Sequence, residues 1–464
     1  MILAFILPAL LLAHAAKDPN DPAARSESLL REDRYEDALA EAAEALDRTP
    51  ADARLHVAAA DALYRRGDFE DAERYYRRAV ELDPNDAGGH YGVGRILRTL
   101  GRYAEAGESF SRAAAIAPEV PKHLRTLANH LARREDVIGM LRRYLEIVKR
   151  EPGLEEESTV RNVEAWLALL AELGDRPISE MIRAEPCEIP MQVAGGQAYI
   201  RMRVANLGNQ RFVFDTGATG VTVSPRIAAR AKLASIRPFT ISGTGARRTE
   251  TGDLVLLPEI ALGPQGDSGE RIVLRNVPAT IRDPAGPEEG LIGPSLLSAF
   301  DVTIDMRKAR LRIESPAGPR PGRAEPFRNV GGQILIAARI NGLPFNAMVD
   351  TGAASTIVGR TTVGRVPGLA AVPAQWQEGT TVGVGGALAD RRRILKGTLS
   401  FADRDYTAAG LLSGDLSGFS RALESEVYVI LGAQHLDDAP FTISYRSMTV
   451  TFQEDPRKRR GAQR

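Results

Sequence analysis

The sequence predicts a multidomain chain, in which an all-α repeat solenoid precedes a mostly-β region made of two copies of one unit. Three observations lead to this prediction. In the first third of the chain proline recurs every 34 residues, at Pro50, Pro84, Pro118 and Pro152. From Ile189 onward, β-branched residues with frequent Gly and Pro replace helical periodicity, which is typical of strands and turns. The triplet Asp-Thr-Gly then occurs twice, each time directly after an apolar run.

The N-terminal segment, residues 1–16, has the features of a cleaved signal peptide. Ile2 to Leu12 is a short apolar run, and Ala13-His14-Ala15 offers a small-x-small cleavage site. No Lys or Arg precedes the run, so only the terminal amine supplies positive charge there. We therefore expect export to the periplasm or the extracellular space. The alternative is an uncleaved N-terminus that anchors the protein to a membrane. No later stretch is apolar for long enough to form a transmembrane helix.

Residues 22–153 keep a 34-residue period at several positions at once, which indicates a repeat architecture. The recurring residues are aromatic at Tyr35, Phe69 and Tyr103, and alanine at Ala38, Ala72 and Ala106. Small alanines let paired helices approach, the aromatic residue fills the gap between them, and proline ends the second helix because it lacks an amide hydrogen. The pattern resembles the tetratricopeptide repeat. That resemblance implies a solenoid that binds a protein or peptide partner, with a role as a spacer equally open.

Residues 154–188 are predicted to lead out of the repeats. Leu154 to Leu173 has the character of a further helix, which we expect to cap the open end of the stack. Gly174 to Pro177 breaks that helix. Residues 178–188 are then predicted to be a linker that holds Cys187, the single cysteine, in an unreactive setting.

The β-rich copies are predicted to span residues 189–316 and 324–454, followed by a basic tail at residues 455–464. In both copies a hairpin leads into the Asp-Thr-Gly triplet, with the turn at residues 206–209 in the first and at Asn341-Gly342 in the second. Further along, both contain a Gly-rich hairpin, an apolar-apolar-Gly step and a closing hairpin. The residues at these landmarks are Gly243, Thr244 and Gly245 with Val384, Gly385 and Gly386 at the Gly-rich tips, and Gly293 with Gly432 at the steps.

With these landmarks, the region resembles two retropepsin-like aspartic protease lobes fused in one chain. The resemblance implies a bilobal acid-protease-like domain whose Asp215 and Asp350 share a proton and activate a water molecule against a peptide bond. It does not assign the proton to one of the two. A less acidic pH optimum than that of pepsin is expected, because alanine follows both triplets, at Ala218 and Ala353, where a serine could acidify the carboxylates.

The resemblance also implies supporting roles around this pair. Thr216 and Thr351 would interlock the two triplet loops. Gly217 and Gly352 would allow the loops to meet, and the glycines of the two steps would let them pass through each lobe. The Gly-rich tips would act as flaps over an extended peptide. His435, next to the second step, is expected on a helix surface.

The composition excludes other kinds of site. Lys and Arg together number 60, as do Asp and Glu, so no basic surface for nucleic acid is indicated. Of the six histidines only His435 lies in the C-terminal half, too few for a catalytic Ser-His-Asp group or a multi-histidine metal site. Together with the resemblance above, this leads us to predict an aspartic endopeptidase without metal or other cofactor, acting on a protein or peptide substrate. The alternative is a non-catalytic peptide-binding or scaffold protein that uses the repeats.

Overall fold

The structure, a computed structural model, describes residues 21–131, 133–241, 250–264, 271–283, 288–316, 318, 320–369, 375–383 and 386–453. The predicted signal peptide and basic tail, and the flap candidates Gly243, Thr244, Gly245, Val384 and Gly385, lie outside these residues. Contacts group the chain into two compact units that divide after Leu131, with Thr99–Gly101 grouped in the second. None of the described helices is long and apolar enough to cross a membrane.

The first unit is built of antiparallel helix pairs, as the 34-residue period predicts. The helices are α1 Pro22–Arg31, α2 Tyr35–Arg48, α3 Ala53–Arg66, α4 Phe69–Leu82, α5 Ala87–Thr99, α6 Tyr103–Ile116 and α7 Pro121–Ala128. Ala38, Ala72 and Ala106 are fully buried, and Phe69 packs edge-on against Tyr64 with 5.3 Å between ring centroids. The third aromatic differs from the first two in its burial, because Tyr103 is 45% exposed.

Helices α8 Arg134–Arg150 and α9 Glu157–Leu173 belong to the second unit. Helix α9 contacts α8 and also packs on the β-rich region, where Ala165, Leu169 and Leu173 form an apolar cluster with Leu254. Capping the repeats, the role expected of α9, therefore does not account for the whole helix, because one of its faces packs on the β-rich region. The units divide at Leu131 rather than at the predicted residue 153 because α8 is held through α9.

The described strands of the first lobe form a nine-stranded sheet in which β8 and β9 are the longest. Its strands are β1 Glu180–Ala184, β3 Gln192–Ala194, β4 Gln197–Val204, β5 Leu207–Phe214, β6 Val221–Val223, β7 Arg237–Ile241, β8 Glu250–Leu262, β9 Ile272–Ile281 and β10 Gly290–Ile292. The first hairpin turns at Ala205 and Asn206, not over residues 206–209. Leu207 already pairs with Val204, and Ala205 takes the positive φ of 50° that a tight turn needs.

The second lobe repeats this arrangement in an eight-stranded sheet. Its strands are β14 Arg328–Val330, β15 Gln333–Ile340, β16 Leu343–Val349, β17 Ile357–Gly359, β18 Gln375–Gly383, β19 Gly386–Phe401, β20 Arg404–Gly414 and β21 Val429–Leu431. Asn341 and Gly342 form the predicted turn, with φ of 50° and 84°. Short helices follow the strands in both lobes: α10 Pro225–Arg230, a 3₁₀ turn Pro294–Leu297, α11 Arg360–Arg365, α12 Ser417–Leu423 and α13 Ala433–Leu436.

A six-stranded sheet joins the two lobes, in the order β13-β23-β22-β11-β12-β2. Its strands are β2 Cys187–Pro190, β11 Asp301–Asp305, β12 Arg310–Glu314, β13 Arg323–Pro326, β22 Phe441–Ser444 and β23 Thr449–Phe452. The closing hairpins of the two copies meet where β11 pairs with β22, and Thr303 Oγ1 lies 2.8 Å from Thr442 Oγ1. This sheet fixes one lobe against the other.

The segment predicted to be a linker is part of the fold. Strand β1 pairs with β9, and β2 pairs with β12 so that Cys187 lies opposite Ile313. Short strands at the edges of distant sheets carry little periodicity, which is why the sequence reading missed them. Cys187 is half-buried, and this burial raises the pKa of its thiol to about 11. A thiol with such a pKa stays protonated near neutral pH and is a weak nucleophile.

Candidate active site

Two buried strands deliver the triplets to the centre of the β-rich region. Strand β5 runs parallel to β10, and the Asp215 amide donates to Ile292 O at 3.0 Å. In the second lobe β16 runs parallel to β21, and the Asp350 amide donates to Leu431 O at 3.0 Å. Each aspartate therefore begins a loop immediately after its strand, and that strand pairs with the strand of the apolar-apolar-Gly step in the same lobe.

The structure brings the two carboxyl groups together, and they hydrogen-bond to each other. The Gly217 amide donates to Asp215 Oδ1 at 2.8 Å, and the Gly352 amide donates to Asp350 Oδ1 at the same distance. A further amide, that of Ala353, donates to Asp350 Oδ1 at 3.1 Å. Backbone donors thus hold each carboxyl in one orientation.

The triplet glycines lie against the carboxyl group of the opposite lobe. A Cβ on Gly217 would stand 2.7 Å from Asp350 Cγ, and a Cβ on Gly352 would stand 2.6 Å from Asp215 Cγ. Carbon atoms do not approach so closely without displacement. The predicted close approach of the loops therefore has a specific cause, which is that each loop leaves room for the other aspartate.

The triplet threonines interlock the two loops through four buried hydrogen bonds. Thr216 Oγ1 donates to Val349 O at 2.8 Å, and Thr351 Oγ1 donates to Phe214 O at 2.9 Å. Each hydroxyl also accepts from the opposite threonine amide, at 2.9 Å for Thr351 N and 3.1 Å for Thr216 N. Both side chains are fully buried.

Thr351→Val is expected to lower the free energy of unfolding by about 2–5 kcal/mol, because it leaves the Thr216 amide and Phe214 O buried without their partner. Thr351→Ser keeps the hydroxyl and should recover most of that loss. Urea unfolding of both variants, followed by circular dichroism, measures the difference. Equal midpoints for valine and serine would show that the bonds contribute nothing to stability.

Gly293 and Gly432 stand where the predicted steps pass beneath the triplet loops. A Cβ on Gly293 would lie 2.2 Å from Ala218 O, and one on Gly432 would lie 2.4 Å from Ser355 O. Both contacts are with backbone, which cannot rotate away. The structure therefore gives these glycines the close packing that the resemblance implied.

His435 is buried, not on a helix surface as expected. Its ring Nδ1 lies 2.7 Å from Thr356 Oγ1, which also accepts from the Gly432 amide at 3.2 Å. Burial lowers the pKa of the imidazole. Through Thr356, the imidazole is thus connected to the Gly432 amide in the apolar-apolar-Gly step of the second lobe. The helix that carries it has only four residues, too short for a pattern of buried and exposed positions to show in the sequence.

Two glutamines add a second crossed pair of contacts that the sequence reading missed. Gln197 Nε2 donates to Gly352 O at 3.1 Å, and Gln333 Nε2 donates to Gly217 O at 2.8 Å. Each starts the first strand of the hairpin whose second strand ends at its own aspartate, yet each contacts the loop of the other lobe. A signal was present, since Gly-Gly-Gln occurs at residues 195–197 and 331–333.

The two carboxyls differ in their surroundings. Burial raises the pKa of Asp215, while the hydrogen bond from Asp350, backbone donors and the charge of Arg282 lower it. Burial raises the pKa of Asp350 further, and the adjacent charge of Asp215 adds to that rise. The pair titrates as one unit. Burial thus raises the pKa of both carboxyls, and it raises the pKa of Asp350 more than that of Asp215.

Arg282 is the residue of the first lobe whose positive charge lowers the pKa of Asp215. It follows β9, is 8% exposed, and its Nη1 has no hydrogen-bond partner among the described residues. Its amide donates to Val223 O at 2.9 Å, at the end of the strand β6 that follows the first triplet loop. A buried cation beside this loop stabilises the ionised form of Asp215.

Arg282→Met is expected to move the acidic limb of the kcat/KM profile to higher pH, by roughly half to one unit. Removal of the positive charge makes ionisation of Asp215 less favourable, so the ionised form appears only at higher pH. Arg282→Lys retains the charge and serves as the matched control. Peptide cleavage rates between pH 3 and 8 measure the shift, and superimposable profiles for methionine and arginine would refute it.

The predicted flaps are described only at their strands. β7 pairs with β8 and β18 with β19, both antiparallel, so the hairpin strands lie as predicted. Gly386, the one tip candidate among the described residues, begins β19 opposite Gly383. No group of three or more His, Cys, Asp or Glu side chains among the described residues could hold a metal ion.

Comparison with known families agrees with this architecture. A tetratricopeptide repeat model matches residues 24–87 and 57–121. A model described as Aspartyl protease matches residues 200–296, a segment that includes Asp215 and Gly293. The matches confirm the predicted order of a helical repeat region followed by an acid-protease-type β region. A search of curated proteins found no match.

Proposed function

We propose that the β-rich region is an aspartic endopeptidase that hydrolyses peptide bonds with water activated between Asp215 and Asp350. The observation that carries this proposal is the contact between two carboxyls that both lobes frame with the same amide and threonine hydrogen bonds. Such a frame has no evident use in a protein that only binds peptides. The Aspartyl protease match over residues 200–296 supports the same reaction class.

In this mechanism the two carboxyls divide the acid and base roles. Asp215, ionised, takes a proton from a water molecule, whose oxygen attacks the carbonyl carbon of the scissile bond. Asp350, protonated, donates its proton to the carbonyl oxygen, which gives a tetrahedral diol. Collapse of the diol breaks the C–N bond: the amide nitrogen receives a proton from Asp215, and one hydroxyl of the diol returns its proton to Asp350. The products are one carboxylic acid and one amine, with no covalent bond to the enzyme.

The repeats supply the second part of the proposal. We propose that they recruit a protein or peptide to the protease, because stacked helix pairs offer an extended concave surface. We also propose export through the segment 1–16. Fractionation of cells that produce the full chain, followed by N-terminal sequencing, tests this: a new N-terminus near Ala16 supports export, and an intact Met1 in the membrane fraction supports the anchor.

The experiment that tests the protease is cleavage of a mixed peptide library between pH 3 and 8, read by mass spectrometry. In water enriched in ¹⁸O, each new C-terminus should carry one labelled oxygen, because water is the nucleophile. Pepstatin should inhibit the reaction. Peptide binding without cleavage at any pH would instead support the alternative, a non-catalytic peptide-binding protein.

A further inference from the structure

A series of hydrogen bonds runs from the first lobe to the carboxyl group of the second-lobe aspartate. Tyr199 Oη donates to Gln197 Oε1 at 2.8 Å, and Gln197 Nε2 donates to Gly352 O at 3.1 Å. The peptide unit that contains Gly352 O also contains the Ala353 amide, which donates to Asp350 Oδ1 at 3.1 Å. Each group in the series therefore donates to the next, and the last of them reaches the carboxyl oxygen.

In the other direction across the lobes, the corresponding series lacks its first member. Gln333 stands at the place of Gln197 in the second copy, and it donates to Gly217 O at 2.8 Å. Its Oε1 is buried and has no hydrogen-bond partner among the described residues, because Leu335 stands where the first lobe has Tyr199.

The two series also differ at the end that meets the aspartates. In the first lobe, the Ala218 amide donates at 3.1 Å to the backbone oxygen of Asp215 rather than to its carboxyl group. In the second lobe, the Ala353 amide lies 3.4 Å from the backbone oxygen of Asp350 and closer to the carboxyl oxygen. The series that begins at the tyrosine is thus the one that ends on a carboxyl group.

Packing keeps the glutamine of the first lobe within reach of its partner. Gly196, in the turn before Gln197, has a positive φ of 79°, and a Cβ there would stand 2.9 Å from Ala354 Cα of the second lobe. The turn and the loop therefore lie against each other without room for a side chain. Tyr199 is buried, and the guanidinium carbon of Arg211 lies 3.8 Å from its ring centroid, which restrains the ring.

This arrangement bears on the carboxyl group of Asp350. Consecutive hydrogen bonds polarise one another, so an amide whose own peptide oxygen accepts a bond is a stronger donor. The Ala353 amide lowers the pKa of Asp350 against the larger effect of burial, because it stabilises the ionised form. Gln197 thus fixes the plane of this peptide and strengthens its bond to the carboxyl group.

We propose that Gln197, with Tyr199 behind it, is a positioning residue for Asp350 and acts through the Gly352–Ala353 peptide. In this way the first lobe holds the group that donates a proton in the proposed mechanism. The effect on catalysis rests on the proposed protease function, whereas the effect on stability requires no activity.

The first test is the pH dependence of stability in Gln197→Met, whose side chain has a similar length but cannot donate a hydrogen bond. Urea unfolding of the full chain between pH 4 and 9 is followed by tryptophan fluorescence, which reports on the second unit because Trp166 and Trp376 both belong to it. Loss of the bond raises the pKa of folded Asp350. The destabilisation by methionine should therefore increase as pH rises through the range in which this carboxyl ionises, and then stay constant.

Gln333→Met is the matched control for this measurement. It also loses one bond between the lobes, but the peptide that it releases donates to no carboxyl group in the structure. Its destabilisation should be the same at every pH. A destabilisation by Gln197→Met that does not change with pH, or one that changes as it does in Gln333→Met, would overturn the proposal.

The pH profile of kcat/KM separates positioning of the carboxyl group from a merely structural role. In Gln197→Met we expect the basic limb, where Asp350 loses its proton, to move to higher pH by about half to one unit. We also expect kcat to fall about three- to tenfold, with KM within about twofold of the unaltered value. Gln333→Met should leave the basic limb in place, and a basic limb unmoved in Gln197→Met would contradict the positioning role.

The other charged groups around the carboxyl are retained in both variants. Asp215 hydrogen-bonds with Asp350, and the charge of Arg282 acts on Asp215. A basic limb that moves in Gln197→Met and not in Gln333→Met therefore reports the bond to the Gly352–Ala353 peptide.

Tyr199→Phe tests the start of the series and serves if Gln197→Met fails to fold. It removes one hydroxyl, so the basic limb and the pH-dependent destabilisation should change in the same direction as in Gln197→Met, to a smaller degree. If the unaltered protein cleaves no peptide, the proposed function fails on its own. The stability comparison then decides, and a pH-independent destabilisation in both Tyr199→Phe and Gln197→Met would overturn the proposal.

Discussion

Asp215→Asn and Asp350→Asn are each expected to lower kcat/KM for peptide cleavage by at least about 10³-fold. Asparagine nearly preserves the shape of the side chain, so the triplet loops and their threonine bonds should persist. It can neither take a proton from water at position 215 nor supply one to a carbonyl oxygen at position 350. The reaction needs both steps, so either change alone should remove it.

The double variant sharpens this expectation. Because the two carboxyls act as one unit, Asp215→Asn with Asp350→Asn should be no slower than the slower single variant. Asp403→Asn, at an exposed turn between β19 and β20, is the matched control and should cleave at the unaltered rate. Purified proteins, one peptide substrate and product quantification by mass spectrometry are sufficient. Equal cleavage by the two single variants, the double variant and the control would show that the activity comes from another site or from a contaminant.

The sequence allowed prediction of the site because the chain carries it twice. One Asp-Thr-Gly triplet is a common turn, but a second copy with the same lead-in and the same later glycine indicated a partner. The threonine interlock was implied by the resemblance to the aspartic proteases, with Thr216 and Thr351 at the same place in each copy. In the structure, these residues contact each other through the buried bonds described above.

Contacts between different elements were harder to predict. Nothing in the pattern of residues 157–173 indicates that Asn162 of helix α9 exchanges two hydrogen bonds with the backbone of Thr240 in β7. A helical period identifies a buried face, but it does not identify the element that covers that face. Gln197 and Gln333 were visible as a repeat but belong to a residue type common on surfaces. Arg282 has no repeated counterpart at all, so only its burial beside the first loop indicated a role.

Gly352→Ala is expected to lower kcat/KM by about 10²-fold, a large effect for one methyl group. The added Cβ would stand 2.6 Å from Asp215 Cγ, so the carboxyl must move or the loops must separate. A displacement of about 1 Å in a reacting group costs on the order of 10² in rate. Gly208→Ala is the control, because nothing lies within 4 Å of a Cβ at that position. Gly217→Ala should resemble Gly352→Ala, since its Cβ would meet Asp350 in the same way.

A stability measurement shows whether that loss arises from the contact with Asp215. Overpacking a buried site costs about 1–3 kcal/mol of unfolding free energy, and Gly352→Ala should show a cost in this range. In an Asp215→Gly background the clashing carboxyl is absent, so the same alanine should cost less than about 0.5 kcal/mol. The difference between the two backgrounds is the coupling energy of the pair, which urea unfolding of four proteins provides. Equal costs in both backgrounds would mean that the alanine disturbs the loop by another route, and that close approach to Asp215 does not explain the glycine at position 352.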